Sequence, residues 1–235
     1  MRLHGKSNKL VIASYFLLVD NIFFNKGSTV VVDCVFMRVM EKLLKNLSFR
    51  GFIPHFFKTS QEAKEFLSAE ITDTTVGMGG SITFAQLELF QLLSRRNKVY
   101  SHSNSKEADV LKNAALAKVY ISGVNAISQD GEIVNIDGRG NRVSSAIWGA
   151  NRERVYYVCG TNKIADGLQE AIFRAKNIAA PLNARRLNLN TPCALKADKC
   201  YKCNSPQKIC RVLTVLGAPT SAETHIVLID ENLGY

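Results

Sequence analysis

Apolar side chains recur along this chain in two alternating rhythms. Val39, Met40, Leu43, Leu44 and Leu47 stand at the three-and-four spacing of one helical face, and Gly51 follows as a stop signal. Upstream, Thr29 to Val35 reads as strand-like. Phe52 to Phe57 is a short apolar run carrying Pro54, which suits an edge strand or a strand start. Thr59-x-x-Glu62 has capping-box spacing and opens a helix to about Ala69. Thr74 to Met78 reads as a strand that runs through Gly79, Gly80 and Ser81 into a helix bearing Phe84, Leu87, Leu89, Phe90, Leu92 and Leu93. The alternation continues with a strand over Lys98 to Ser101, a helix over Glu107 to Ala117 and a strand over Val119 to Ser122. Gln129-Asp130-Gly131 between apolar runs predicts a hairpin over Ile127 to Ile136. Val143 to Trp148 reads as a helix, Val155 to Cys159 as a buried strand and Ile164 to Ala179 as a helix. Strands Val212 to Leu216 and Ile226 to Ile229 close the chain. Such alternation predicts an α/β fold with a mostly parallel, Rossmann-type sheet and helices on both faces.

At 235 residues, 46% hydrophobic and 21% charged, the chain can bury a core, which excludes wholesale disorder. Thirty Lys and Arg against twenty Asp and Glu give a net charge of +10 and predict affinity for anions. The excess is concentrated. Between Pro181 and Arg211 stand Arg185, Arg186, Lys196, Lys199, Lys202, Lys208 and Arg211 against Asp198 alone. That stretch has no aromatic but Tyr201 and no nucleic-acid motif, so a nucleic-acid partner is not expected. The apolar run Leu10 to Val19 follows Arg2, Lys6 and Lys9 like the start of a signal peptide. It meets Asp20 and Asn21 with no small-x-small cleavage site, and it is half the length of a membrane span. A cytoplasmic protein without a membrane span is the expectation.

Three polar strand ends carry candidate binding chemistry. Gly77, Gly79 and Gly80 let a backbone approach a ligand closely, and Ser81 and Thr83 stand at the mouth of the following helix, where free N–H groups attract anions. Asn135, Asp137, Asn141 and Arg142 follow a second strand. Asn162 and Lys163 follow a third, and Lys163 can meet a carboxylate or phosphate as a point charge. Together these predict one pocket for a small anionic metabolite at the carboxyl ends of the strands. Tight turns and helix caps are the competing explanation. No nucleophile–base pair stands out.

Cys193, Cys200, Cys203 and Cys210 form the sharpest chemical signal, a module over residues 191–211. Four cysteines, two at Cys-x-x-Cys spacing, can set four thiolates around a four-iron four-sulfur cluster or a structural zinc. Disulfides are the third possibility, and the reducing compartment argues against them. Cys34 and Cys159 stand apart.

The segments VGMGGSIT, ISGVNAISQDGEIVNIDGRGNRVSSAIWG, VYYVCGTNKI, NIAAPLNARRLN, TPCALKADKCYKCNSPQKIC and HIVLIDENLGY, in this order, resemble the lactate-utilisation (LUD) domain family, in its cysteine-bearing branch related to LutC/YkgG. The resemblance runs from about Val39 to Tyr235. It implies a ribose phosphate isomerase/CoA-transferase-like (NagB/RpiA-like) fold, a phosphate-binding glycine loop at Gly77 to Thr83, and an accessory or redox role in lactate-type oxidation beside iron–sulfur partner proteins. An isomerase- or transferase-type enzyme with a structural zinc is the alternative. Residues 1–36 then form an extension outside a domain of residues 37–235.

Overall fold

The computed structural model describes residues 28–235, with side chains from residue 35 onward. Its first helix, α1, runs Ser28–Phe49. Thr29 to Val35, expected as strand-like, is therefore helical. A β-branched residue costs a helix only about half a kcal/mol, and extending a nucleated helix is easy. The run Leu10 to Val19 lies outside the described residues. The C-terminal part of α1 belongs to a compact unit running Leu43–Tyr235. Among the described residues no helix is long and apolar enough to cross a membrane.

Six strands build the main sheet: β1 (Ile53–Phe57), β2 (Thr75–Met78), β3 (Lys98–Ser101), β4 (Val119–Gly123), β7 (Arg154–Gly160) and β10 (Glu223–Ile229). Their order is β1-β10-β7-β4-β2-β3, and every pairing is parallel. Pro54 lies on the edge strand β1, where a missing N–H costs nothing. Helix α2 (Ser60–Glu70) starts on the expected capping box of Thr59 and Glu62. It shares one face of the sheet with α3 (Ile82–Gln86) and α4 (Leu89–Leu93). The expected single helix over this stretch is broken at Glu88, whose φ is +53°. The break has a packing reason, since it buries both Leu87 and Leu89, which one continuous stripe would separate. Leu67, Ile71, Val76, Ile121, Tyr156 and Val227 fill this side of the core, and Leu67→Ala there would cost about 2–5 kcal/mol.

The opposite face carries α5 (Val110–Leu116) and α6 (Asn141–Ile147), so helices cover both faces of a Rossmann-like α/β domain. A second, four-stranded sheet was not foreseen. It orders β8 (Ile164–Ala165), β5 (Ala126–Ser128), β6 (Ile133–Asp137) and β9 (Val212–Leu216). The hairpin joining β5 and β6 turns at Gly131 with φ +90°. Arg50, at the end of α1, clamps this sheet by donating to the carbonyls of Asp130 and Gly217 and to the Glu132 carboxylate.

The expected helix over Ile164 to Ala179 begins later. Ile164 and Ala165 pair with β5, and Gly167 caps α7 (Leu168–Arg174). A π-helical segment, Ala175–Ala179, follows and leads into α8 (Ala180–Arg186), with Pro181, which lacks an N–H, just beyond it. Ala171, Ala175 and Ala180 pack on Ala126, Val134 and Ile136 of the small sheet. Thr191 then caps the short helix α9 (Pro192–Lys196), and an irregular cysteine-rich loop returns to β9.

Candidate functional site

The carboxyl ends of β2, β3, β4 and β7 and the end of β6 surround a cavity of about 650 Å³, within the usual range for small-molecule sites. In open α/β sheets this is the end at which ligands bind. Gly79, Gly80, Ser81, Thr83, Asp137, Asn141, Arg142 and Lys163, drawn from three separate stretches of sequence, all line it.

Each does so differently. Gly80 is exposed, and a Cβ there would meet only the side chains of Ser103 and His102, at 3.1 and 3.4 Å. Gly79 is buried against Arg142, whose Cγ and Cδ would lie 2.8 Å from an added Cβ. Arg142 acts as a brace. Its guanidinium donates to Ser122 Oγ, the Gly123 carbonyl and Asn135 Oδ1, and to Asn125 Oδ1 and the Ile136 carbonyl. It therefore fixes the ends of β4 and β6 relative to each other. Asp137 accepts backbone N–H groups from Arg139, Arg142 and Val143 at 3.1, 2.9 and 3.1 Å. Burial alone would raise its carboxyl, but Arg142 and these N–H groups outweigh burial and hold the pKa below the ordinary aspartate range.

Lys163 closes the base of the cavity. It is 3% exposed, and its ammonium donates to Thr83 Oγ1 at 3.0 Å. Among the described residues no carboxylate pairs with it. Burial foremost, helped by Arg174 and Arg142 and opposed by Cys159, brings its pKa down to about 8.

Three expected residues do not reach the cavity. Gly77 is buried in β2, where a Cβ would stand 2.3 Å from the Ala114 carbonyl oxygen, so glycine there lets α5 pack on the sheet. Asn135 is enclosed, accepting from Arg142 and from the Asn125 N–H. Asn162 Oδ1 accepts the Leu233 N–H and holds the segment after β10.

Other lining residues were missed. His102, Ser103 and Asn104 follow β3 as the expected residues follow their own strands, so the rule of polar strand ends would have found them. Asn125, Arg139, Asn183, Arg186 and Ile209 are the remainder that matter. Burial and then Arg139, opposed by Asp137, lower the His102 pKa and favour the neutral imidazole. Ile209 belongs to the cysteine-rich loop and packs against Gly138, while the Arg211 N–H bonds the Asp137 carbonyl, so that loop forms one wall of the cavity.

Cys193, Cys200, Cys203 and Cys210 are free and half-buried. Cys200 N–H bonds Asn177 Oδ1, Lys202 N–H bonds Cys200 Sγ at 3.4 Å, and Thr191 Oγ1 lies 3.3 Å from Cys193 Sγ. Ala197 and Lys202 turn the chain with φ of +52° and +49°, the latter inside the Cys-x-x-Cys pair. Burial first, and then Cys200, Cys203 and Cys193, raise the Cys210 pKa, so the four thiols share one neighbourhood. As they lie, no three His, Cys, Asp or Glu groups among the described residues stand close enough to hold a metal ion. In number and softness the donors suit a four-thiolate centre. Cys159 is fully buried in β7, and burial raises its pKa to about 11, as for an inert core thiol.

A parallel sheet flanked by helices, with a polar cavity at its strand ends, defines a Rossmann-like α/β domain. The chain belongs to the LUD domain family, whose model matches residues 40–229. Among solved structures it is similar to a DUF162 family protein from Deinococcus radiodurans, at 10% identity over 82% of this chain and 97% of that one, with a TM-score of 0.49. It is also similar to eIF2B delta from Chaetomium thermophilum, at 14% identity over 69% of this chain and 66% of that one, with a TM-score of 0.35. None of the curated proteins compared with the chain matches it.

Proposed function

We propose that this LUD-domain chain is an accessory or redox component of organic-acid utilisation of the lactate type, acting in the cytoplasm. It takes a small anionic metabolite in the cavity and carries a metal centre on Cys193, Cys200, Cys203 and Cys210. The observation that carries the first part is the buried ammonium of Lys163, without a carboxylate partner among the described residues, at the base of a cavity rimmed by the glycine loop and Arg139. A buried cation at neutral pH calls for an anion. The Gly80 N–H, at the mouth of the following helix, and the Arg139 guanidinium offer further donors, whereas the Gly79 N–H is spent on the Ile121 carbonyl.

The second part rests on the donor set. Four thiolates in a loop anchored to Asn177 and to the Asp137 carbonyl suit a four-iron four-sulfur cluster, which when bound passes single electrons to and from iron–sulfur partner proteins. The lysines around the loop favour an anionic centre and an acidic partner surface. A structural zinc in an isomerase- or transferase-type enzyme is the second reading, favoured by the way Ile209 makes the loop part of the cavity wall.

Anaerobic purification followed by iron, sulfide and zinc analysis separates the two. Brown protein that bleaches on reduction supports the cluster, whereas one zinc per chain supports the second reading. Metal-free protein whose four thiols alkylate freely in the native state rejects both. Lactate, pyruvate and phosphate are each expected to protect the chain against heat, and absence of protection by all three rejects the anion pocket.

A further inference from the structure

Lys163 combines features that anion binding does not require. An ammonium that only attracts a carboxylate works best with its pKa left high, yet this one is enclosed, 3% exposed, and among the described residues donates to Thr83 Oγ1 alone. Gly234, at φ +64°, covers it so closely that a Cβ there would stand 3.1 Å from Nζ. The amine is thus withheld from bulk water while still lining the cavity. An enclosed lysine without a carboxylate partner is the arrangement that makes an amine nucleophilic at neutral pH.

Resting on the anion-pocket reading, we infer that Lys163 is a carbonyl-reactive residue that forms a reversible imine with a 2-oxo acid held in this cavity. The acid's carboxylate lies on the cationic and N–H donors of the rim, and its carbonyl carbon faces Nζ. The lone pair of neutral Nζ attacks that carbon, the C=O π pair moves to oxygen, and a proton passes from nitrogen to oxygen to give a carbinolamine. Loss of water then leaves the C=N bond. Amine plus ketone gives imine plus water, with no oxidant or reductant consumed. The lowered pKa of about 8 makes this feasible near neutrality, since an ordinary lysine near 10.5 is almost wholly protonated there. The neutral fraction at pH 7 is larger by roughly 300-fold.

The test uses the full chain with pyruvate and sodium borohydride, which delivers hydride to an imine carbon and fixes it as a secondary amine. Peptide mass mapping is expected to find one added carboxyethyl group on Lys163, at a yield roughly ten-fold or more above that on the exposed Lys199. Excess lactate, an anion without a carbonyl, should suppress the label at Lys163 and leave surface lysines unaffected. Lys163→Arg should abolish it, and because the wild-type peptide map stands alone, the outcome does not depend on that variant folding. Heat protection by lactate and pyruvate without an adduct at Lys163 overturns the imine and leaves the anion pocket standing. Neither protection nor adduct overturns both, and labelling spread evenly over surface lysines overturns the imine.

Discussion

Lys163 Nζ donates to Thr83 Oγ1 across 3.0 Å, and this bond ties the turn after β7 to the helix that follows the glycine loop. Eighty residues separate the two, and both side chains are buried. The same lysine therefore joins two strand ends and carries a charge that no carboxylate among the described residues neutralises.

That charge has a stability cost with a defined pH dependence. The folded-state pKa of about 8 lies below the ordinary 10.5, so between those values the unfolded chain binds more protons and stability rises with pH. Below pH 8 the full penalty applies. Lys163→Met is expected to stabilise the protein at pH 7 by at most about 3 kcal/mol, less the lost Thr83 bond, with the gain fading as pH climbs toward 10. Thermal melts of both proteins from pH 6 to pH 10 check this, and a gain that grew with pH would contradict it.

Gly80 and Gly77 should separate binding from folding. Gly80→Val places its side chain in the cavity near His102 and Ser103, so heat protection by phosphate and lactate should disappear while the melting temperature stays within a few degrees. Gly77→Ala drives a methyl to 2.3 Å from the Ala114 carbonyl and should destabilise by roughly 2 kcal/mol or more. Equal effects of the two would mean that the loop has no binding role.

Asp137 supplies an acid-sensitive hinge for the site. Its pKa is held below the ordinary value of 3.8, so its contribution is complete above that value and is lost as pH falls through the lowered one. Asp137→Asn should remove part of the acid destabilisation seen below about pH 4, and Asp137→Ala should cost about 2–3 kcal/mol at pH 7 by orphaning three backbone N–H groups. Denaturant melts at pH 7 and pH 3.5 measure both.

Serine at any one of Cys193, Cys200, Cys203 and Cys210 should sharply reduce bound metal, and Cys159→Ser should leave it unchanged because that thiol is enclosed in β7. Because Ile209 walls the cavity, metal loss should also weaken heat protection by anions. Metal analysis and melts on the same samples report the two together.

Removing residues 1–36 is expected to shift the melting temperature by no more than about 2–4 °C. The family match begins at residue 40, and Leu43 and Leu47, the fully buried positions of α1 in the compact unit Leu43–Tyr235, are retained. A larger loss would make the extension part of the fold.

Local rules governed the main sheet. Periodicity fixed nearly every strand, the capping box at Thr59 and the Asp-Gly hairpin, because each depends on contacts a few residues away. The glycine loop and Lys163 were also legible, since polar groups after an apolar strand have few uses in a core. What the sequence could not reveal depends on distant partners. Only the folded chain shows that Arg142 is a brace, because its five acceptors come from β4, β6 and the loops beside them. Gly77 is glycine because of Ala114, and the helix after Gly80 breaks at Glu88 because Leu87 and Leu89 both need the same core. The small second sheet and the Ile209 wall follow from long-range pairing, which no window of local sequence contains. Residue types set which chemistry is available; packing between distant segments decided which groups face the cavity and which hold it open.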